Sequence, residues 1–274
     1  MRKHLSIEGT IGVTIIGFVS AIALISLLWT PHDPVAADVS ARLQGYSPIH
    51  VLGTDRFGRD VLSRLMVGAQ VTLFVGVIAV GIAALCGIPL GVAAGMRRGS
   101  FLDAIIVRTT DVILAFPALL LAIIAGAIWG PSTLSAMSAI GIAGIPSFAR
   151  VARAGTLQVI TQDYIQAAKI SRVSAVGIAR RHILPNISGL LIVQATVYFA
   201  LAVLAEAALS YLGLGTAPPA PSWGRMLHDA QTMLAINPWL TVWPGIAIAM
   251  TVLGFNLLGD SLRDSLDPRL RGVK

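Results

Sequence analysis

Apolar runs of roughly 20 residues recur along this chain, and they decide what it can fold into. They are Gly9 to Trp29, Val71 to Met96, a third run starting between Asp103 and Asp111 and ending near Trp129, Thr133 to Phe148, Gly189 to Leu209, and Leu240 to Leu258. In the hydrocarbon of a bilayer every backbone N–H and C=O must find its partner within the protein, so such runs become helices. An all-α integral membrane protein of about six transmembrane helices follows. Composition agrees: 12% of residues are charged, about half the share usual in soluble domains, and the mean hydropathy is +0.80. The first run has a rival reading as a signal peptide cut near Val35-Ala36-Ala37. It is long for that purpose, so a retained span is preferred.

The net charge of +7 would point to nucleic acid in a soluble protein. Here the positive-inside rule accounts for it, and no nucleic-acid partner is expected. With both termini placed in the cytosol, 15 of the 20 Lys and Arg residues fall on the inner side. They include Arg2, Lys3, Arg97, Arg98, Arg108, Arg150, Arg153, Lys169 and the basic tail up to Lys274. Only Arg42, Arg56, Arg59, Arg64 and Arg225 fall outside. The expected organisation is an N-terminal span with its outer loop over residues 1–70, then a five-span core over 71–274 that carries a cytosolic loop at 161–186. Gly87, Gly91 and Gly95 share one helix face, a spacing that lets membrane helices pack closely. Gly141, Gly144 and Pro146 suggest a bent fourth helix.

Motifs for chemistry are missing. No G-x-x-x-x-G-K-[ST] loop occurs, so the chain is not expected to hydrolyse ATP. No H-E-x-x-H or paired-cysteine pattern occurs either, and no metal or catalytic residue is assigned. Cys86 is the single cysteine, which rules out a disulfide within the chain. It reads as a packing residue.

The cytosolic stretch Asp163 to Asn186, DYIQAAKISRVSAVGIARRHILPN, is basic and reads as two short helices. Ala167 and Ala168 are small enough to let another protein approach the backbone. Ser174 suits the N-cap of the second helix. Pro185 biases Leu184 away from helical geometry, so a helix should stop there, although proline also suits the first turn of a following one. The stretch resembles the EAA coupling loop in the membrane subunits of bacterial ABC importers. Gln166-Ala167-Ala168 and Ile183-Leu184-Pro185-Asn186 stand at the family's separation. Gln166 replaces the usual Glu and Arg172 the usual Gly, which bears on the turn between the helices and on the ion pair that Glu makes.

The likeness extends from His50 to Arg271. Leu52 to Arg64, LGTDRFGRDVLSR, resembles the G-T-D-x-x-G-R-D segment of the dipeptide, oligopeptide and nickel branch. Ala205 to Gly215, Pro221-Ser222-Trp223-Gly224, Asn256 to Asp260 and Leu266-Asp267-Pro268-Arg269 continue it. The resemblance implies a type I ABC importer permease fold in the bacterial cytoplasmic membrane, in contact with lipid. It implies a homologous permease, two ATPase subunits that hold ATP and Mg, and an extracytoplasmic substrate-binding protein; this chain itself binds no cofactor. It assigns ATPase coupling to Asp163, Tyr164, Gln166, Ala167, Ala168, Arg172, Arg181, His182, Leu184 and Pro185.

Other residues carry two readings each. Asp55, Arg59 and Asp60 either touch an outer gate or binding protein, or form a charge network that folds the loop. Asp111 either pairs with Arg108 one turn away, or belongs with Phe116 and Pro117 to a hinge near the inner gate. Glu206, near the outer end of the fifth span, either lines the path or holds helices together. The expected cargo is a di- or oligopeptide, with nickel or a metal chelate second. An ion-coupled secondary transporter is the rival class, with Asp111 and Glu206 as its only coupling carboxylates. A membrane enzyme would need a cluster of His, Asp or Ser facing one cavity, and the sequence offers none.

Overall fold

The computed structural model describes residues 6–130 and 132–266. Helices dominate these residues, and the only extended pairing among them is the isolated bridge between Thr54 and Asp60. Helix α1, Ile7–Leu28, starts at Ser6, whose hydroxyl accepts the N–H of Gly9. Helix α2, Val61–Met96, is capped by Asp60, which accepts the N–H of Ser63 at 2.8 Å. The cap moves the start of this helix ahead of the expected Val71. The helix therefore runs unbroken through residue 70, where the apolar pattern put the end of the outer loop. It spans 36 residues, about 54 Å at 1.5 Å per residue.

The third apolar run is two helices, α3 (Phe101–Ala115) and α4 (Ala118–Trp129), bent by 85° at the break. Phe116 is extended, the conformation that a following proline favours. Among the described residues, five helices are long and apolar enough to cross a membrane, and six if this bent pair is one span. Helix α5, Thr133–Val159, opens with a reciprocal cap between Ser132 and Ser135. It passes Phe148, its expected end, and carries Arg150 and Arg153 on its last turns.

Two short helices follow, α6 (Asp163–Ile170) and α7 (Ala175–Ile178). Ser174 caps α7, accepting the N–H of Gly177 at 3.1 Å. The expected stop at Pro185 does not occur. A widened π turn, Ala179–Ile183, joins α7 to α8, Leu184–Tyr211. Here the Leu184 N–H reaches the Ala179 carbonyl five residues back. Pro185 then lies in the first turn of α8, where a missing N–H costs little. Helices α9, Trp223–Ala230, and α10, Trp239–Leu266, complete the bundle.

Small residues bring the helices together. A Cβ on Gly91 would lie 2.2 Å from the Ala149 carbonyl oxygen, and one on Gly87 2.5 Å from that of Ile145. The glycine stripe of α2 is thus where α5 packs backbone to backbone. Gly144 leaves room for the Tyr198 ring, whose hydroxyl donates to the Ile140 carbonyl at 2.5 Å. A central apolar cluster includes Val75, Ile140, Phe148, Tyr198 and Leu209. A second, around Val61, Trp223 and Leu240, lies under the long loop. A third, around Val92, Ile165, Ile183 and Ile187, lies under α6 and α7. Residues 1–5 and 267–274 lie outside the described residues, and with them Arg2, Lys3, Asp267-Pro268-Arg269, Arg271 and Lys274.

Candidate functional site

The stretch 163–186 forms a cap on one end of the bundle. Helix α6 is amphipathic. Ile165 and Ala168 are buried against Ile178, Ile183 and Ile187. Ala168 therefore faces its own bundle and not a partner, which corrects the expectation from its small size; Ala167 is the exposed alanine. Asp163 stands in the first turn, where its charge suits the helix N-terminus. The Gln166 amide donates to the Ile160 carbonyl at 3.4 Å, a local contact in place of an ion pair.

Between the two helices Arg172 adopts φ +56°, the left-handed conformation that glycine takes without cost. The Val173 N–H reaches the Ala168 carbonyl and the Arg172 N–H that of Lys169, both at 3.0 Å. This is a Schellman ending with arginine in the glycine position. The turn expected of the family forms, at the cost of a strained arginine.

The cap exposes both apolar and basic side chains. Ile170 is 83% exposed and Val176 68%, with Tyr164 and Ala167 exposed beside them. Lys169, Arg172, Arg180 and Arg181 are exposed on the same stretch. The His182 ring lies 6.1 Å from the Tyr164 ring. Leu184 packs against the buried cluster beneath, and Pro185 is exposed. Ile170 was not singled out from the sequence. An isoleucine on the polar side of an amphipathic helix was the signal available.

At the other end of the bundle, residues 30–60 and α9 meet in a charge network. Asp55 and Asp229 lie between four arginines. Arg59 donates to Asp55 at 2.7 Å and to Asp229 at 2.9 Å. Arg64 is only 1% exposed, lies 3.7 Å from each carboxylate, and donates to the Pro34 carbonyl at 3.0 Å. Arg56 and Arg225 approach Asp229 at 3.5 and 3.3 Å. Asp55, Arg59 and Asp60 are all buried and bonded to groups of this chain. Asp229 and Arg64, which carry much of this network, were not assigned from the sequence. Spacing could show the pair of Asp229 with Arg225, four residues away, but not its approach to Arg56, Arg59 and Arg64 from far along the chain.

Asp111 does not pair with Arg108. Its carboxylate meets Arg150 of α5 at 3.1 Å, on an exposed surface. An interhelix pair replaces the intrahelical one because α3 turns this face towards α5. Phe116 and Pro117 line a cavity of about 580 Å³ between α3, α4, α5 and α8, together with Ser147 and Tyr198. Glu206 does not line it. Its side chain is 1% exposed, and Oε1 accepts the Ser210 hydroxyl at 2.7 Å.

Comparison with known proteins agrees with this architecture. The chain is 42% identical over 261 residues to the dipeptide transport system permease protein DppC of Alkalihalophilus pseudofirmus, covering 95% of this chain and 86% of that protein. It is 38% identical over 272 residues to the glutathione transport system permease protein GsiD of Pectobacterium atrosepticum, covering 99% and 89%. Its fold matches a chain of the inward-facing MetNI methionine ABC transporter with a TM-score of 0.62 at 18% identity, over 74% of this chain and 96% of that one. Residues 87–272 match the family described as binding-protein-dependent transport system inner membrane component. With that match, and with the relatives spanning nearly its whole length, the chain belongs to the family of binding-protein-dependent transport system inner membrane components.

Proposed function

We propose that this chain is the permease subunit of an ATP-driven importer for di- or oligopeptides. The observation that carries the reading is the cap at 163–186. It exposes the apolar side chains of Tyr164, Ala167, Ile170 and Val176 together with those of Lys169, Arg172, Arg180 and Arg181, on a pair of short helices seated on a buried cluster. An exposed apolar patch with a polar rim is the signature of a docking surface. Its occupant here is an ATPase subunit. Two such subunits, holding ATP and Mg, would pull the caps of two homologous permeases together as they close, and the seated helices would carry that motion into α5 and α8. The switch between access states follows from the differential affinity of ATP and of the loaded binding protein for those states. The charge bias supports cytosolic termini and a cap within reach of an ATPase.

Relatives named for dipeptide and glutathione transport favour peptide cargo over nickel. The ion-coupled alternative loses its support: Asp111 is paired at an exposed surface, and Glu206 is bonded within the bundle. The test is co-purification. From a native host, the tagged wild-type chain should bring down a second permease and ATPase subunits. Ala167→Glu and Ile170→Glu should lose the ATPases and peptide uptake while keeping the second permease. Full ATPase retention and normal uptake in both variants would sink the reading.

A further inference from the structure

The long loop holds a cluster that neither the cap nor the arginine network uses. His32 lies shortly after α1, His50 within the loop, and Asp60 is the cap of α2. His50 Nδ1 is 2.9 Å from Asp60 Oδ1, and His32 Nδ1 is 3.7 Å from the same oxygen. Ligand atoms from the three residues all lie within 4.8 Å of one another. The two imidazoles sit with their centroids 4.6 Å apart. His32 Nδ1 is buried and has no hydrogen-bond partner. A buried polar atom left in that state costs free energy that a bound ligand would recover.

We propose that His32, His50 and Asp60 bind a late first-row divalent cation, with Zn²⁺ as the reference ion. The bound ion would clip the chain leaving α1 to the start of α2. Two imidazole nitrogens and one carboxylate oxygen suit Zn²⁺, Ni²⁺ or Cu²⁺, whereas Mg²⁺ and Ca²⁺ prefer oxygen donors. In a tetrahedral site with ligands at about 2.0–2.1 Å, donor atoms stand about 3.3 Å apart. The observed 2.9 and 3.7 Å separations bracket that value.

The surroundings already orient the donors. Asp60 Oδ2 accepts both the N–H and the hydroxyl of Ser63, at 2.8 and 2.7 Å, which leaves Oδ1 to the imidazoles. The same Ser63 oxygen accepts the backbone N–H of His32 at 3.0 Å. One hydroxyl thus fixes both the carboxylate and the segment that carries the first histidine, as outer-shell groups do at metal centres. Three protein ligands leave a fourth position for water. The ion is structural and distinct from any cargo, so the assignment does not depend on what the transporter carries.

The test uses the full-length chain with a histidine-free tag, purified in detergent and stripped with a chelator. Titration with Co²⁺ should give the visible absorption of a tetrahedral centre, at one ion per chain, and Zn²⁺ should displace it. Zn²⁺ should also raise the unfolding temperature. His32→Ala removes a partly exposed ring and leaves the His50–Asp60 bond in place. It should weaken binding at least about tenfold while leaving the metal-free unfolding temperature unchanged. His50→Ala should abolish the site; if that variant does not fold, His32→Ala decides alone. No binding by the wild type, or equal binding and equal thermal response in wild type and His32→Ala, would overturn the proposal.

Discussion

Arg153 reaches from α5 to the first turn of α3 and grips both oxygens of Asp103, Nε to Oδ1 at 2.7 Å and Nη2 to Oδ2 at 2.9 Å. The same carboxylate accepts the Gly99 N–H at 3.0 Å, so one acid ties the turn after α2 to the end of α5. Lysine cannot reproduce a parallel fork. Arg153→Lys should cost about 1–2 kcal/mol and Asp103→Ala about 2–3, since charged hydrogen bonds contribute about 1.5–3 kcal/mol each. Thermal unfolding in detergent checks the order; an unchanged unfolding temperature in Asp103→Ala would contradict it.

The strained turn makes the opposite kind of prediction. A left-handed conformation costs an ordinary residue roughly 1–2 kcal/mol, and glycine returns part of that gain through its freer unfolded chain. Arg172→Gly should therefore stabilise the cap by about 0.5–1 kcal/mol, and Arg172→Val should destabilise it. Slower amide exchange at residues 171–173 in the glycine variant is the expected reading.

Neighbouring alanines should part company. Ala167→Glu adds an exposed carboxylate and should shift stability by no more than about 0.5 kcal/mol. Ala168→Glu places one against Ile178 and Ile183 and should cost about 3 kcal/mol or more. Expression and unfolding temperature of the two variants distinguish them, independently of transport.

The helix contact tests the same logic in the bundle. Gly91→Ala puts a methyl group 2.2 Å from the Ala149 carbonyl and must push α2 from α5, at about 1–3 kcal/mol. Gly81 lies on the same helix with nothing within 4 Å of the added atom. Gly81→Ala should stabilise by up to about 1 kcal/mol from helix propensity alone. Equal effects at both positions would deny the close approach.

What the sequence shows of this protein is what short range determines. Ser174 was readable as a cap because a cap needs only its own next few residues. The glycine stripe of α2 was readable because helical period alone sets its face. Pro185 misled, because the π turn that absorbs its missing N–H depends on how α7 meets α8. Asp111 misled because its partner is chosen by how two helices pack and not by spacing. In the cap, Ala167 and Ala168 read alike until the buried side of α6 was fixed by Ile178 and Ile183. His32, His50 and Asp60 follow no motif spacing, and only the folded loop brings them together.

Helix α2 joins the two ends of the molecule. Its first residue follows Asp60 beside the arginine network, and Val92 near its far end packs in the cluster beneath α6. A rod of 36 residues is nearly twice as long as a bilayer core is thick. Pivoted at one end, such a rod swung by about 10° moves its other end by about 9 Å, given a length of about 54 Å. Any small angular change beneath the cap would be magnified where the long loop is anchored.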